Sequence, residues 1–173
     1  ALEKHGTQEE RKTIRTKGAV KQLADLLSLK TLPNRIECYD ISHVSGVDKV
    51  SSMVVFEGGE PKKSHYRKFK IKTVEGNNDF ASMKETLSRR LERLNNPEET
   101  DESFASVPAL IVIDGGKGQL SYALDALALY GRNDIEILSL AEREEEVFLG
   151  RAPKESVMLS KDSVALQLLQ RIR

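Results

Sequence analysis

Two aspartates close apolar rows. In "RIECYDISHV", residues 35–44, Ile36, Cys38 and Asp40 share one face if the segment is a strand of period two. In "PALIVIDGG", Leu110, Val112 and Asp114 do the same. An isolated buried carboxylate costs several kcal/mol, so it demands a partner, a proton or a cation. Two such acids at the ends of central strands could meet. Like charges that close repel unless a cation lies between them. Mg²⁺ and Mn²⁺ take oxygen ligands, often one or two carboxylates with water and a substrate phosphate. The chemistry that follows is metal-assisted hydrolysis of a phosphodiester. The plainer reading leaves each carboxylate in water or capping a turn at a strand end.

Other residues could join that site. Asp79 stands just before a helix that begins near Phe80. As the N-cap it contributes about 1 kcal/mol; a helix start beside the sheet could also place it near Asp40. In "DGGKGQ", Lys117 follows a strand and precedes a helix, a context in which backbone amides can face an anion. The stretch is not a Walker A loop, because Gly118 stands where Ser or Thr is needed, and Ser121 spoils a dinucleotide fingerprint. Residues 62–72, "KKSHYRKFKIK", hold six Lys or Arg with Tyr66 and Phe69. Arg67, Lys68 and Lys70 could track a nucleic-acid backbone, or the lysines could guard a solvated edge strand. His43 falls on the opposite strand face from Asp40, which suits an outer contact rather than joint ligation. His65 and His5 carry no clear signal. Cys38 reads as a small buried hydrophobe. No Ser/His/Asp or Cys/His set for covalent catalysis is recognisable.

The elements that must position these residues follow from periodicity. Residues 8–29 read as a leading helix with Val20, Leu23, Leu26 and Leu27 as its stripe, closed by Pro33. Three strands follow, 35–44, 49–61 around a Gly58-Gly59 turn, and a basic one ending at Lys72, joined as an antiparallel meander. From Asp79 the period becomes helical, with Phe80, Met83, Leu87, Leu91 and Leu94 aligned. Residues 95–106 are acidic and read as a mobile loop. Next come a buried strand ending at Asp114, a helix closed by Gly131, a strand over 135–143, a hairpin over 144–160 and a helix from Ser163. The expected fold is α/β, one mixed sheet with helices on both faces.

Composition adds boundaries. The 173 residues suit one domain, residues 31–173, with a leading helical segment over 1–30. Lys+Arg and Asp+Glu are both 27, so net charge selects no partner and only local patches could. One cysteine excludes an intramolecular disulfide and fits a reducing, cytoplasmic compartment. No apolar run spans a membrane, and no signal peptide is visible, so no membrane partner is expected. The chain begins without Met and stops inside an apparent helix, so a fragment of a longer protein, in a single copy, is expected.

"YDISH" (39–43), "SSMVVFEGGEP" (51–61), "YRKFKIK" (66–72), "NDFASM" (78–83) and "LIVIDGGKGQL" (110–120) together resemble the C-terminal endonuclease region of the UvrC family of bacterial excision-repair nucleases. The resemblance runs in order over about residues 30–173. It implies an RNase H-like fold and a metal-dependent cut in damaged DNA on the 5′ side of a lesion, with Mg²⁺ or Mn²⁺ as cofactor. By motif, Asp40 and Asp114 look like metal-binding catalytic carboxylates and Asp79 like a further functional acid. It implies DNA and UvrB as partners of the full-length protein. The family's remaining catalytic histidine follows an "IRDEAH"-like sequence, beyond Ile172-Arg173, so this chain is expected to lack part of the site and to be impaired. The rival readings are a non-catalytic DNA- or protein-binding module on the same fold and a nucleotide-binding domain built on "GGKG".

Overall fold

Apolar side chains three and four apart turn the leading segment into a helix with one buried stripe. The computed structural model describes residues 6–44, 48–72, 78–141 and 145–173. Thr7 and Glu10 cap α1 (Gln8–Thr13) reciprocally. A π-helical turn, Ile14–Gly18, joins it to α2 (Ala19–Leu27). Val20, Leu23 and Leu27 are buried as the spacing predicts, whereas Leu26 faces solvent.

β1 (Arg35–Val44) and β2 (Asp48–Glu57) pair antiparallel along their whole length, from Arg35 opposite Glu57 to Val44 opposite Asp48. The turn after β2 places Gly58 and Gly59 at φ 60° and 82°, a conformation that side chains disfavour. A Cβ on Gly59 would also lie 2.6 Å from the Thr16 backbone, so this turn packs against the leading helix. The end of the second expected strand pairs back on itself as β3 (Glu60–Pro61), and the third expected strand is shortened to β4 (Arg67–Lys70). Both pair with β2, and a 3₁₀ turn, Lys63–His65, separates them. That turn carries His65 inward, where its Nδ1 accepts from Arg35 Nη1 at 2.8 Å. Burial and the neighbouring guanidinium hold the His65 pKa below the ordinary value.

α3 (Asp79–Leu94) and the short α4 (Glu102–Ala105) lead to β5 (Leu110–Asp114), α5 (Lys117–Leu129), β6 (Glu136–Leu140), β7 (Glu146–Leu149), β8 (Ala152–Met158) and α6 (Val164–Ile172). The strand read through Arg143 and the hairpin read from Glu144 lie partly outside the described residues. Among the described residues, eight strands form one sheet in the order β3-β2-β1-β5-β6-β7-β8, with β4 beside β2. β1, β5 and β6 run parallel and the remaining pairs antiparallel. Period two sends Ile36, Cys38, Leu110 and Val112 to the face covered by α2 and α6. Tyr39, Ile111 and Ile113 face α3 and α5. The mixed sheet with helices on both faces is the architecture the sequence predicts.

The acidic stretch 95–106 is anchored rather than loose. Arg67 donates to both Asp101 oxygens at 2.9 and 2.7 Å. Phe104 is buried edge-on against Phe69, with ring centroids 5.8 Å apart. Arg90 donates to the carbonyls of Phe104 and Ser106 at 2.6 Å each. The acids find arginines from other elements, which local composition does not reveal.

Candidate metal and phosphate site

β1 and β5 are parallel neighbours, and their last pairing sets Tyr39 opposite Ile113. Asp40 and Asp114 are the next residues on strands about 4.8 Å apart. Alternation places both on the face that holds Cys38 and Val112. Electrostatics report the same closeness. The Asp40 pKa is raised, first by burial and then by Asp114. The Ile41 amide and Arg173 oppose the rise, and Asp79 adds to it. Burial pushes the Cys38 thiol up as well, and both aspartates push it further.

Arg173 is a partner that the sequence reading misses. Its Nε donates to Asp114 Oδ1 at 2.9 Å. A lone arginine after a helical stripe carries no local signal for this contact. α6 brings it over the sheet by burying Ala165, Leu168, Leu169 and Ile172.

Asp79 is not the cap of α3. Asn78 takes that role, its side-chain oxygen accepting from the Ala81 N–H at 3.0 Å. Asp79 is the first helical residue, and its carboxylate turns to β1 and β2. His43 Nε2 lies 3.2 Å from Asp79 Oδ1, and Lys49 Nζ lies 4.0 Å from the same oxygen. The buried Lys49 ammonium also donates to Ser82 Oγ at 3.4 Å. His43 therefore approaches the paired aspartates through Asp79, from the opposite face of β1. Lys49 escaped sequence reading because a lysine opening a strand usually reads as solvated.

The basic strand divides by face. Asp40 pairs with Ser52, which pairs with Lys68; Ser42 pairs with Val50, which pairs with Lys70. Residues opposite each other share a face. Lys68 and the paired aspartates therefore lie on one row across the sheet, with exposed Lys70 a row away. A groove of about 320 Å³ runs beside that row, lined by Ser52, Val54, Tyr66 and Lys68 among others. Arg67 points the other way. Its guanidinium is held by Asp101 and lies 5.7 Å from the Phe104 ring centre. Lys117 opens α5 after Gly116, which supplies no side-chain cap. The first amides of that helix are thus without a capping side chain, while Lys117 Nζ lies 5.0 Å from the Phe148 ring centre.

Among the described residues no three of His, Cys, Asp and Glu converge closely enough to hold a metal ion. A pair of adjacent carboxylates still fits a hard cation that completes its shell with water and substrate oxygens. The raised Asp40 pKa is the electrostatic cost that such a cation would relieve.

A family model described as the UvrC RNAse H endonuclease domain matches residues 24–173. Relatives named UvrABC system protein C are 48% identical over 155 residues in Dehalococcoides mccartyi strain BAV1 and 49% over 151 residues in Solibacter usitatus. The alignments cover 90% and 87% of this chain and 25% and 23% of those proteins. The chain thus spans about a quarter of the length of the curated relatives it matches. A crystal structure of human endonuclease V is similar at 16% identity and TM-score 0.46, covering 78% of this chain and 58% of that one.

Proposed function

This chain belongs to the UvrC RNase H endonuclease domain family, and from that premise we propose that it is the metal-dependent incision domain of an excision nuclease, cutting damaged DNA on the 5′ side of a lesion. The observation that carries the reading is the register that sets Asp40 beside Asp114. Those two carboxylates would hold Mg²⁺ or Mn²⁺. Bound there, a divalent cation lowers the pKa of a coordinated water and polarises a phosphodiester oxygen. Asp79, braced by His43 and Lys49, adds negative potential at Asp40 and so favours a cation over a bare carboxylate pair. Lys68 and Lys70 hold backbone phosphates along the row across β2. The start of α5, with Lys117, faces a second phosphate. DNA and, through a protein of the relatives' full length, UvrB are the partners.

The test is metal-dependent nicking of lesion-bearing duplex DNA by a protein of the relatives' full length. Asp40→Asn and Asp114→Asn should each cut incision by more than the roughly 10–100-fold that loss of an outer metal partner costs. Wild-type incision by either variant overturns the assignment. A Mn²⁺ titration of this chain adds a reading independent of turnover: binding should require both aspartates. One observation favours a second reading, a binding module without catalysis. Arg173 already places a cation on Asp114. Failure of Mn²⁺ to bind a protein of the relatives' full length selects it.

A further inference from the structure

Phe80 is the one aromatic among the exposed large apolar side chains of the described residues, with 44% of its surface open. It follows Asp79 on the first turn of α3. Its ring rests over Gly118, where an added Cβ would lie 2.5 Å from the ring tip. Tyr122, one turn further along α5, sits beside it with ring centres 5.6 Å apart and planes 38° apart. Two helices thus grip one side of the ring and leave the rest open.

The covered side of Phe80 helps pack α3 against α5, but its open face gains nothing from burial, so packing accounts for only part of the ring. Its position supplies a reason for the rest. The preceding residue braces the site through His43 and Lys49. The starts of α3 and α5 meet at the ring, and α5 begins at Gly116 without a side-chain cap. Helix starts favour anions, and an open aromatic face favours a flat π-system. A nucleotide satisfies both needs, with its base on the ring and its phosphate toward the amides.

We infer that Phe80, supported by Tyr122 and seated on Gly118, is a stacking platform for one unpaired DNA base next to the scissile phosphate. The inference rests on the nuclease reading and deepens it. The base would leave the duplex stack on the α3–α5 side of the sheet end, while Lys68 and Lys70 hold backbone on the other face. The site takes any base, because every base offers a π-face. The strand must be locally unpaired, because a stacked duplex presents no free face.

The probe is a single-stranded oligonucleotide carrying one 2-aminopurine, titrated at fixed salt with chelator present so that no cutting occurs. Wild-type chain should quench the fluorophore on binding. Phe80→Leu should lose the quenching and weaken binding about 5- to 150-fold, the equivalent of the roughly 1–3 kcal/mol that one base–aromatic stack contributes. Phe80→Trp should keep both. Thermal melting of Phe80→Leu checks that the fold persists, and Tyr122→Leu gives an independent, smaller loss of quenching. Absence of quenching by wild type, or unchanged quenching and affinity in a folded Phe80→Leu, overturns the inference. The parent reading is judged separately: incision that survives Asp40→Asn defeats the nuclease assignment whatever the fluorophore reports.

Discussion

Asp40 ionises against two obstacles, burial and the carboxylate of Asp114. Its folded pKa therefore lies above the unfolded value. The folded state then binds more proton, so stability declines as pH rises through the window between the two values and the loss is complete above it. Asp40→Asn removes that penalty and should raise unfolding free energy at pH 7, but Asp40 is solvent-exposed, so screening holds the gain below about 1 kcal/mol, while Mn²⁺ binding disappears. Equilibrium urea unfolding decides it; a variant less stable than wild type contradicts the electrostatic account. Asp114→Asn should lower the Asp40 pKa in a carboxyl-carbon NMR titration, because Asp114 is the largest charge acting on it and Arg173 remains to pull it down. The acids announce themselves in the sequence because each interrupts an apolar alternation. Arg173, Lys49 and Phe80 do not, since nothing within a few residues of them predicts a distant partner.

At the scale of elements, one buried ion network ties the start of β1 to α3 and to the segment after it. Glu37 and Arg90 are both fully buried. Arg90 Nε and Nη2 donate to Glu37 at 2.9 and 2.8 Å, and Arg35 Nε donates at 3.0 Å. Arg90→Met leaves the carboxylate short of a partner and should cost about 3–5 kcal/mol in urea unfolding. A cost below about 1 kcal/mol would show that Arg35 and the Tyr39 hydroxyl, which also donates to Glu37, suffice. The Arg67–Asp101 latch behaves differently with pH. Arg67 holds Asp101 down at about 2, well below its ordinary 3.8. A lowered carboxyl pKa gives stability that is complete above the unfolded value and is lost as pH falls through the folded one. Acid between about pH 4 and 2 should therefore release residues 95–106 before the sheet melts. Hydrogen exchange on that segment should rise in this window in wild type, and already at pH 7 in Asp101→Asn. The sequence shows the acids of this stretch but not the arginines, which come from β4 and α3.

For the molecule as a whole, the leading helix is structural. Leu23 of α2 is fully buried in the cluster that also holds Leu166, Leu169 and Ile172 of α6. α6 in turn carries Arg173 to Asp114. Leu23→Ala should cost about 2–5 kcal/mol of stability, measured by urea unfolding. Because the cavity lies behind α6, the same variant should also loosen the Arg173–Asp114 contact, visible as a shifted Arg173 Nε resonance. An unchanged resonance would mean that α6 is fixed by the sheet alone.

The strand and helix periods, the order of elements and the two acids that end apolar rows were set by the sequence alone, because side-chain alternation and helical stripes are local properties of the chain. The Asp40–Asp114 pair was decided by the crossover that lays β5 beside β1. Other packings of the tertiary structure gave Asp79 to His43 and Lys49, Arg67 to Asp101 and Arg173 to Asp114. Each of these joins residues from separate elements, and their approach depends on how whole faces bury apolar surface against one another, which no short window of residues encodes.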